Sequence, residues 1–186
     1  MKHNTSPFTT TAPSRHDSPT IALHWLTALL VVVQFLLGEF WGFFPRPTHN
    51  LMVTAHMSLG LIFAAVFALR LVWRLRPGHS HFDDASDLLN RVARLMHFLL
   101  YALVGAEIVL GFFTRWGGGK AISFFGLLIP SPIDGVSKAT HHLIDKLHDV
   151  AAWAIIILAG AHAAAALFHH YFLKDGILRR MLPLRG

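Results

Sequence analysis

The segment VAAWAIIILAGAHAAAALFHHYFL, residues 150–173, contains no Asp, Glu, Lys or Arg in 24 positions. About 20 apolar residues in a helix cross the hydrocarbon layer of a bilayer, so this stretch is long enough to span one. It carries His162, His169 and His170. An ionisable side chain inside a span costs free energy and marks a functional candidate.

Three further stretches follow the same pattern. Residues 18–38 are uncharged, with Ser18 expected as a cap and Pro19 at the first helical position. This span is expected to pass Glu39 and end near Phe44, where Pro45 and Pro47 turn the chain. Residues 47–69 are again uncharged and end at Arg70, Arg74 and Arg76. Residues 95–114 form a third run, broken only by Glu107. The expected fold is therefore an all-α membrane protein, a four-transmembrane-helix bundle with spans at about residues 20–44, 50–73, 92–114 and 143–173. The bundle domain covers residues 21–183. Residues 1–20, rich in Thr, Ser and Pro without the apolar core of a secretory signal, read as a disordered cytoplasmic tail. Residues 115–140 read as an outer loop, in which the apolar but Gly/Pro-containing residues 121–133 form a short interfacial or re-entrant segment.

Composition agrees with that reading. Of the 186 residues 54% are hydrophobic and 14% charged, against about 25% charged in soluble domains. A soluble globular enzyme is excluded on that ground. The absence of cysteine excludes disulfides, thiolate metal sites and covalently attached haem. Sixteen Lys and Arg against ten Asp and Glu leave a formal charge of +6. With four spans, eleven of the sixteen basic residues fall on the side of the termini, while Arg46, Arg115, Lys120, Lys138 and Lys146 fall on the other. Basic residues are retained in the cytoplasm, so both termini are expected there, and the positive excess calls for no nucleic-acid partner.

The fourteen histidines supply the chemistry. His148 and His162 are 14 residues apart, about 21 Å along a helix and on nearly the same face. Alternating span directions match His24 with His162 at the inner level and His56 with His148 at the outer level. Two pairs of facing imidazoles suit two six-coordinate haems, which without cysteine are non-covalent b haems. Gly60 and Gly160 stand near these ligands and are expected either to admit a flat macrocycle or to serve ordinary helix packing. A transition-metal site or a histidine-lined metal transporter without haem remains open, although such a site calls for ligands at one depth. His97, one turn into span three, is expected to pack or to meet a haem propionate. Glu107 lies at outer depth, either protonated or hydrogen-bonded to a ligand histidine. His3, His16, His49, His79, His81, His141 and His142 are assigned to tails, loops and span edges. Trp41, Trp73, Trp116 and Tyr171 are assigned as interface anchors.

The segments IALHWL around His24, GFFPRP at 42–47, AHMSLG around His56, and LHD at His148 through GAHAAAALFHHYFLKD resemble the bacterial cytochrome b561 family over residues 21–183. The last segment resembles most the subgroup acting as superoxide:ubiquinone oxidoreductase, the superoxide oxidases. The resemblance implies axial ligation of haem iron by His24, His56, His148 and His162, and places His169 beside a quinone. It also implies a bacterial inner-membrane oxidoreductase of the electron-transport type. Superoxide would give up electrons near the outer haem, releasing O2, and ubiquinone would accept them on the cytoplasmic side. Arg46, Arg115, Lys120 and Lys138 against Asp134 leave +3 on the outer loops, enough to attract a small anion. The alternative is a cytochrome b electron-transfer subunit, passing electrons from a periplasmic dehydrogenase or cytochrome to quinone with the same ligands.

Overall fold

The computed structural model describes residues 17–76, 88–176 and 178–182. The proposed tail up to residue 16, and with it His3 and His16, lies outside the described residues, as do His79 and His81.

The chain forms α1 (Ser18–Phe40), extended by a 3₁₀ turn at Trp41–Phe43, then α2 (Arg46–Leu75) and α3 (Leu88–Trp116). A two-stranded antiparallel hairpin follows, β1 (Ile122–Phe124) and β2 (Leu127–Ile129). Next come α4 (Lys138–Phe168), which continues as a π-helical segment at His169–Leu173, and a final 3₁₀ turn at Leu178–Met181. All four helices are long and apolar enough to cross a membrane. α2, α3 and α4 start four or five residues before the expected bounds, because their first turns carry Arg46, Arg91 and Lys138, which hydropathy does not count as span, whereas α1 with its 3₁₀ turn ends one residue short of the expected Phe44. Residues 18–20, assigned to the tail, are the first turn of α1. Its N-cap is Asp17 rather than Ser18, and proline stands in the first turn of both α1 and α2, where a missing N–H costs nothing. Ser137 caps α4, its Oγ accepting from Thr140 N at 3.2 Å.

Two helical hairpins build the bundle. α1 packs along α2 and α3 along α4, whereas α1 against α4 and α2 against α3 touch only sparsely. One buried side chain from each helix, Leu30, Phe63, Val104 and Ile155, forms an apolar layer between the halves. Phe63 and Ile155 each stand seven residues, about two helical turns, beyond His56 and His148. Leucines, isoleucines and phenylalanines such as Leu29, Leu36, Phe98 and Ile157 cover the outside. Such a surface suits lipid, where helices associate through close packing and hydrogen bonds rather than through release of water.

The apolar stretch after α3 is a hairpin clamped to α2. Fully buried Ser58 accepts from Phe125 N at 2.8 Å and lies 3.3 Å from the carbonyl of Ser123. Ser58 is twelve residues, about 18 Å, past the first residue of α2, so the hairpin returns to the depth of His56.

Candidate metal centres

His56 and His148 each stand ten residues past the first residue of their helices, α2 and α4. That places both imidazoles about 15 Å from the same end of the bundle. Their ring centres are 6.3 Å apart with planes at 88°. At the other end His24 lies six residues past the start of α1, and His162 six before the end of α4, with ring centres 6.4 Å apart. Two imidazoles that each reach one metal ion at about 2.0 Å from opposite sides have ring centres about 6.3 Å apart. Both pairs have the separation that a single six-coordinate iron needs. His97 is closer to His162, at 5.2 Å between ring centres, which is too short to admit an iron on that axis.

The surroundings of the outer pair fit a flat group held at its centre. A cavity of about 480 Å³ opens between α2, α3 and the start of α4, and one of about 500 Å³ opens between α1 and α4. Both are bounded by His56, His148, Glu107, Gln34 and Phe63. Among the described residues no three His, Asp or Glu side chains gather as a site for a bare metal ion. Mostly apolar hollows on both sides of a His–His axis are instead the shape a macrocycle requires.

Hydrogen bonds decide which ring nitrogen carries a lone pair. His56 Nδ1 is 3.1 Å from the carbonyl of Gln34, which can only accept, so Nδ1 carries the proton and Nε2 is left for a metal. The Gln34 amide donates back to the carbonyl of His56 at 3.0 Å, and Gly60 gives that amide its room. His148 Nδ1 lies 3.0 Å from Glu107 Oε1, at ion-pair distance but bent from hydrogen-bond alignment. The second oxygen, Oε2, is buried without a hydrogen-bond partner among the described residues. Gly111 is cut away beneath His148, since a β-carbon there would stand 3.3 Å from Cε1. Gly38 similarly faces His56 at 3.6 Å, whereas the space beside Gly160 is open.

The inner pair differs. Arg70 Nη2 is 3.0 Å from His24 Nδ1, and because a guanidinium only donates, the proton of His24 sits on Nε2. Spacing fits a metal between His24 and His162; ligation through Nε2 requires that proton to move to Nδ1 and Arg70 to turn from it. The guanidinium already stacks over Tyr101, 5.1 Å from the ring centre.

Several assignments change. Trp41 is more than an interface anchor: it meets His56 edge-on at 5.2 Å and lines both cavities. His141 belongs to α4 and bounds the outer cavity, with Nε2 2.8 Å from the carbonyl of Thr114 and Nδ1 beside Asp145. His49 bounds the same cavity, and His142 is exposed on α4. Of the four outer cations, Arg115 lines the outer cavity, tied through Nε and Nη2 to the carbonyl of Ala121. Arg46, Lys120 and Lys138 are exposed. At the inner end His169 Nδ1 is hydrogen-bonded to the carboxylate of Asp175. The His141 contact was not legible in sequence, because hydropathy placed that residue outside the span.

The model of the family described as prokaryotic cytochrome b561 matches residues 15–184. The chain belongs to that family. It is 34% identical to "Cytochrome b561 homolog 1" of Escherichia coli, over 92% of this chain and 99% of that one. It is 32% identical to "Probable superoxide oxidase CybB" of Yersinia pestis, over 88% of this chain and 93% of that one. A more distant relative, 22% identical over 90% of this chain and 84% of that one, is "Probable Ni/Fe-hydrogenase B-type cytochrome subunit" of Cupriavidus necator. Membership makes the chain a bacterial integral membrane electron-transfer cytochrome of oxidoreductase type that binds b-type haem. The reading as a haem-free transporter falls with it.

Proposed function

We propose that this cytochrome is a di-haem b oxidoreductase that takes electrons from superoxide at its outer end and reduces ubiquinone at its inner end. The observation that carries the reading is the pair of His–His separations, 6.3 and 6.4 Å, at two levels divided by an apolar layer. His56 and His148 hold the outer haem, and His24 and His162 the inner one. Haem b supplies a reversible one-electron iron couple.

The chain's own residues do the rest. Gln34 fixes the ring of His56, and Glu107 faces that of His148. Arg115 at the cavity, with exposed Arg46, Lys120 and Lys138, draws the superoxide anion toward the outer end. Two superoxide anions lose one electron each and leave as O2. Ubiquinone gains those two electrons with two cytoplasmic protons. Asp175 orients His169 so that Nε2 is left for a quinone oxygen. The excess of basic residues beside the termini supports a cytoplasmic placement for both. Stopped-flow mixing of the purified holoprotein with superoxide tests the reading: rapid haem reduction is expected, and haems that stay oxidised would overturn it.

Asp145 and Asp149 also line the outer cavity and oppose entry of an anion, which favours a second reading. In it the chain is an electron-transfer subunit receiving electrons from a protein donor; the Cupriavidus relative is named "Probable Ni/Fe-hydrogenase B-type cytochrome subunit".

A further inference from the structure

The two proposed haem sites have charges of opposite sign beside their ligand histidines. At the outer site Glu107 Oε1 lies 3.0 Å from His148 Nδ1, and both side chains are largely buried. At the inner site Arg70 Nη2 lies 3.0 Å from His24 Nδ1; ligation through Nε2 turns the guanidinium from that nitrogen, while its stacking over Tyr101, 5.1 Å from the ring centre, keeps the charge beside the ligand. The remaining outer ligand, His56, is hydrogen-bonded to the neutral carbonyl of Gln34, and of the charged residues lining the outer cavity Arg115 is bound to the carbonyl of Ala121 and is outnumbered by Asp145 and Asp149. Arg70 is joined by Arg74, which also lies over the Tyr101 ring at 5.3 Å.

Reduction adds one negative charge to an iron centre. A neighbouring carboxylate therefore disfavours the reduced form, and a neighbouring guanidinium favours it. In a buried site such charges are weakly screened. A carboxylate on the far nitrogen of a ligand imidazole acts in the same direction by making the ring more basic.

We infer that Glu107 and Arg70 are positioning residues that set the outer haem at lower potential than the inner one, so that electrons entering outside run downhill to the cytoplasmic end. The inference rests on the ligand assignment of the preceding subsection. It assigns direction to the pathway whatever the physiological donor is, superoxide or a protein. It also gives a role to a carboxylate inside a span, where a charge without function is a net cost.

The test is a redox titration of the detergent-purified holoprotein followed by absorbance, with wild type resolved into two components. Glu107→Gln keeps shape and removes charge. It is expected to raise the lower component by about a tenfold shift in its reduction equilibrium, about 59 mV for one electron, while leaving the upper one in place. Arg70→Gln is expected to lower the upper component and leave the lower. Glu107→Leu, titrated in parallel, must move in the same direction as Glu107→Gln, which protects the result if one variant loses haem. A residue that only supported the fold would shift haem content and not these potentials in opposite senses. His148→Ala and His24→Ala control for the ligand assignment, each expected to retain a single haem. If they do so while both charge variants titrate as wild type, the inference is overturned and the ligand assignment stands. If either histidine variant retains two haems, the assignment fails and takes the inference with it.

Discussion

A β-carbon at position 111 would stand 3.3 Å from Cε1 of His148, and one at position 38 would stand 3.6 Å from Cε1 of His56. The first is tighter than ordinary contact and the second is not, so two glycines with similar sequence surroundings should differ on substitution. We expect Gly111→Val to push the His148 ring aside and lower haem content toward one per chain, and Gly38→Ala to keep both, as read by a haem assay of purified protein. His162→Ala should remove the inner haem and quinone reduction while sparing the outer absorbance. Asp17 is a pH-sensitive residue outside the spans. Desolvation pushes its carboxyl up, but hydrogen bonds from Thr20 and from Trp73 Nε1, the latter at 3.0 Å, hold it below the usual carboxylate range. A lowered value in the fold means that the anchor stabilises at pH above about 3.9 and fades as pH falls through the folded value. The residue is exposed, so screening limits the gain to about 0.5 kcal/mol. Thermal unfolding of Asp17→Asn in detergent should trail wild type by that amount at neutral pH and converge with it in acid.

At the scale of elements, what hydropathy and spacing could read was the spans, and with them the depths of the four histidines. A 3.6-residue repeat and a fixed rise convert sequence distance into depth, so His148 and His162 could be placed at two levels without coordinates. What could not be read depends on partners far away in sequence. Depth put Glu107 level with the outer ligand histidines, but the contacts of Glu107 with His148, Arg70 with His24 and Gln34 with His56 join residues 22 to 46 apart, on helices whose rotation no local pattern fixes. The β-hairpin is the clearest instance, since Gly and Pro marked residues 121–133 as no helix but gave no sign of the clamp at Ser58. Within the depth of a membrane an open backbone must find partners, and here one hydroxyl on α2 accepts from Phe125 N at 2.8 Å while its own proton lies between the carbonyls of Thr54, at 2.8 Å, and Ser123, at 3.3 Å. Ser58→Ala leaves Phe125 N without its acceptor, at a cost of about 1–3 kcal/mol. The expected outcome is a lower unfolding temperature with both histidine pairs still loaded, because the hairpin borders the outer cavity through Ile122 and holds no proposed ligand.

For the whole molecule the decisive feature is division into halves. The layer of Leu30, Phe63, Val104 and Ile155 separates the two histidine levels, and the charges lie beyond it on both sides. Electrons can pass such a layer, whereas ions and water are kept from it, so that under the proposed function an outer donor and an inner proton-coupled acceptor would work without leakage between them. The same division makes the donor testable through long-range charge. Exposed Arg46, Lys120 and Lys138 act on an approaching anion over the Debye length, about 30 Å at 0.01 M salt and about 3 Å at 1 M. If superoxide is the donor, its rate constant should fall steeply over that salt range, and Lys120→Glu with Lys138→Glu should lower the rate at low salt and flatten the dependence. Asp145 and Asp149 at the cavity set the opposite sign for a cationic donor surface. A rate that rises with salt for superoxide would show that these carboxylates govern the entrance, and would move the donor assignment to a basic protein docking over the outer cavity.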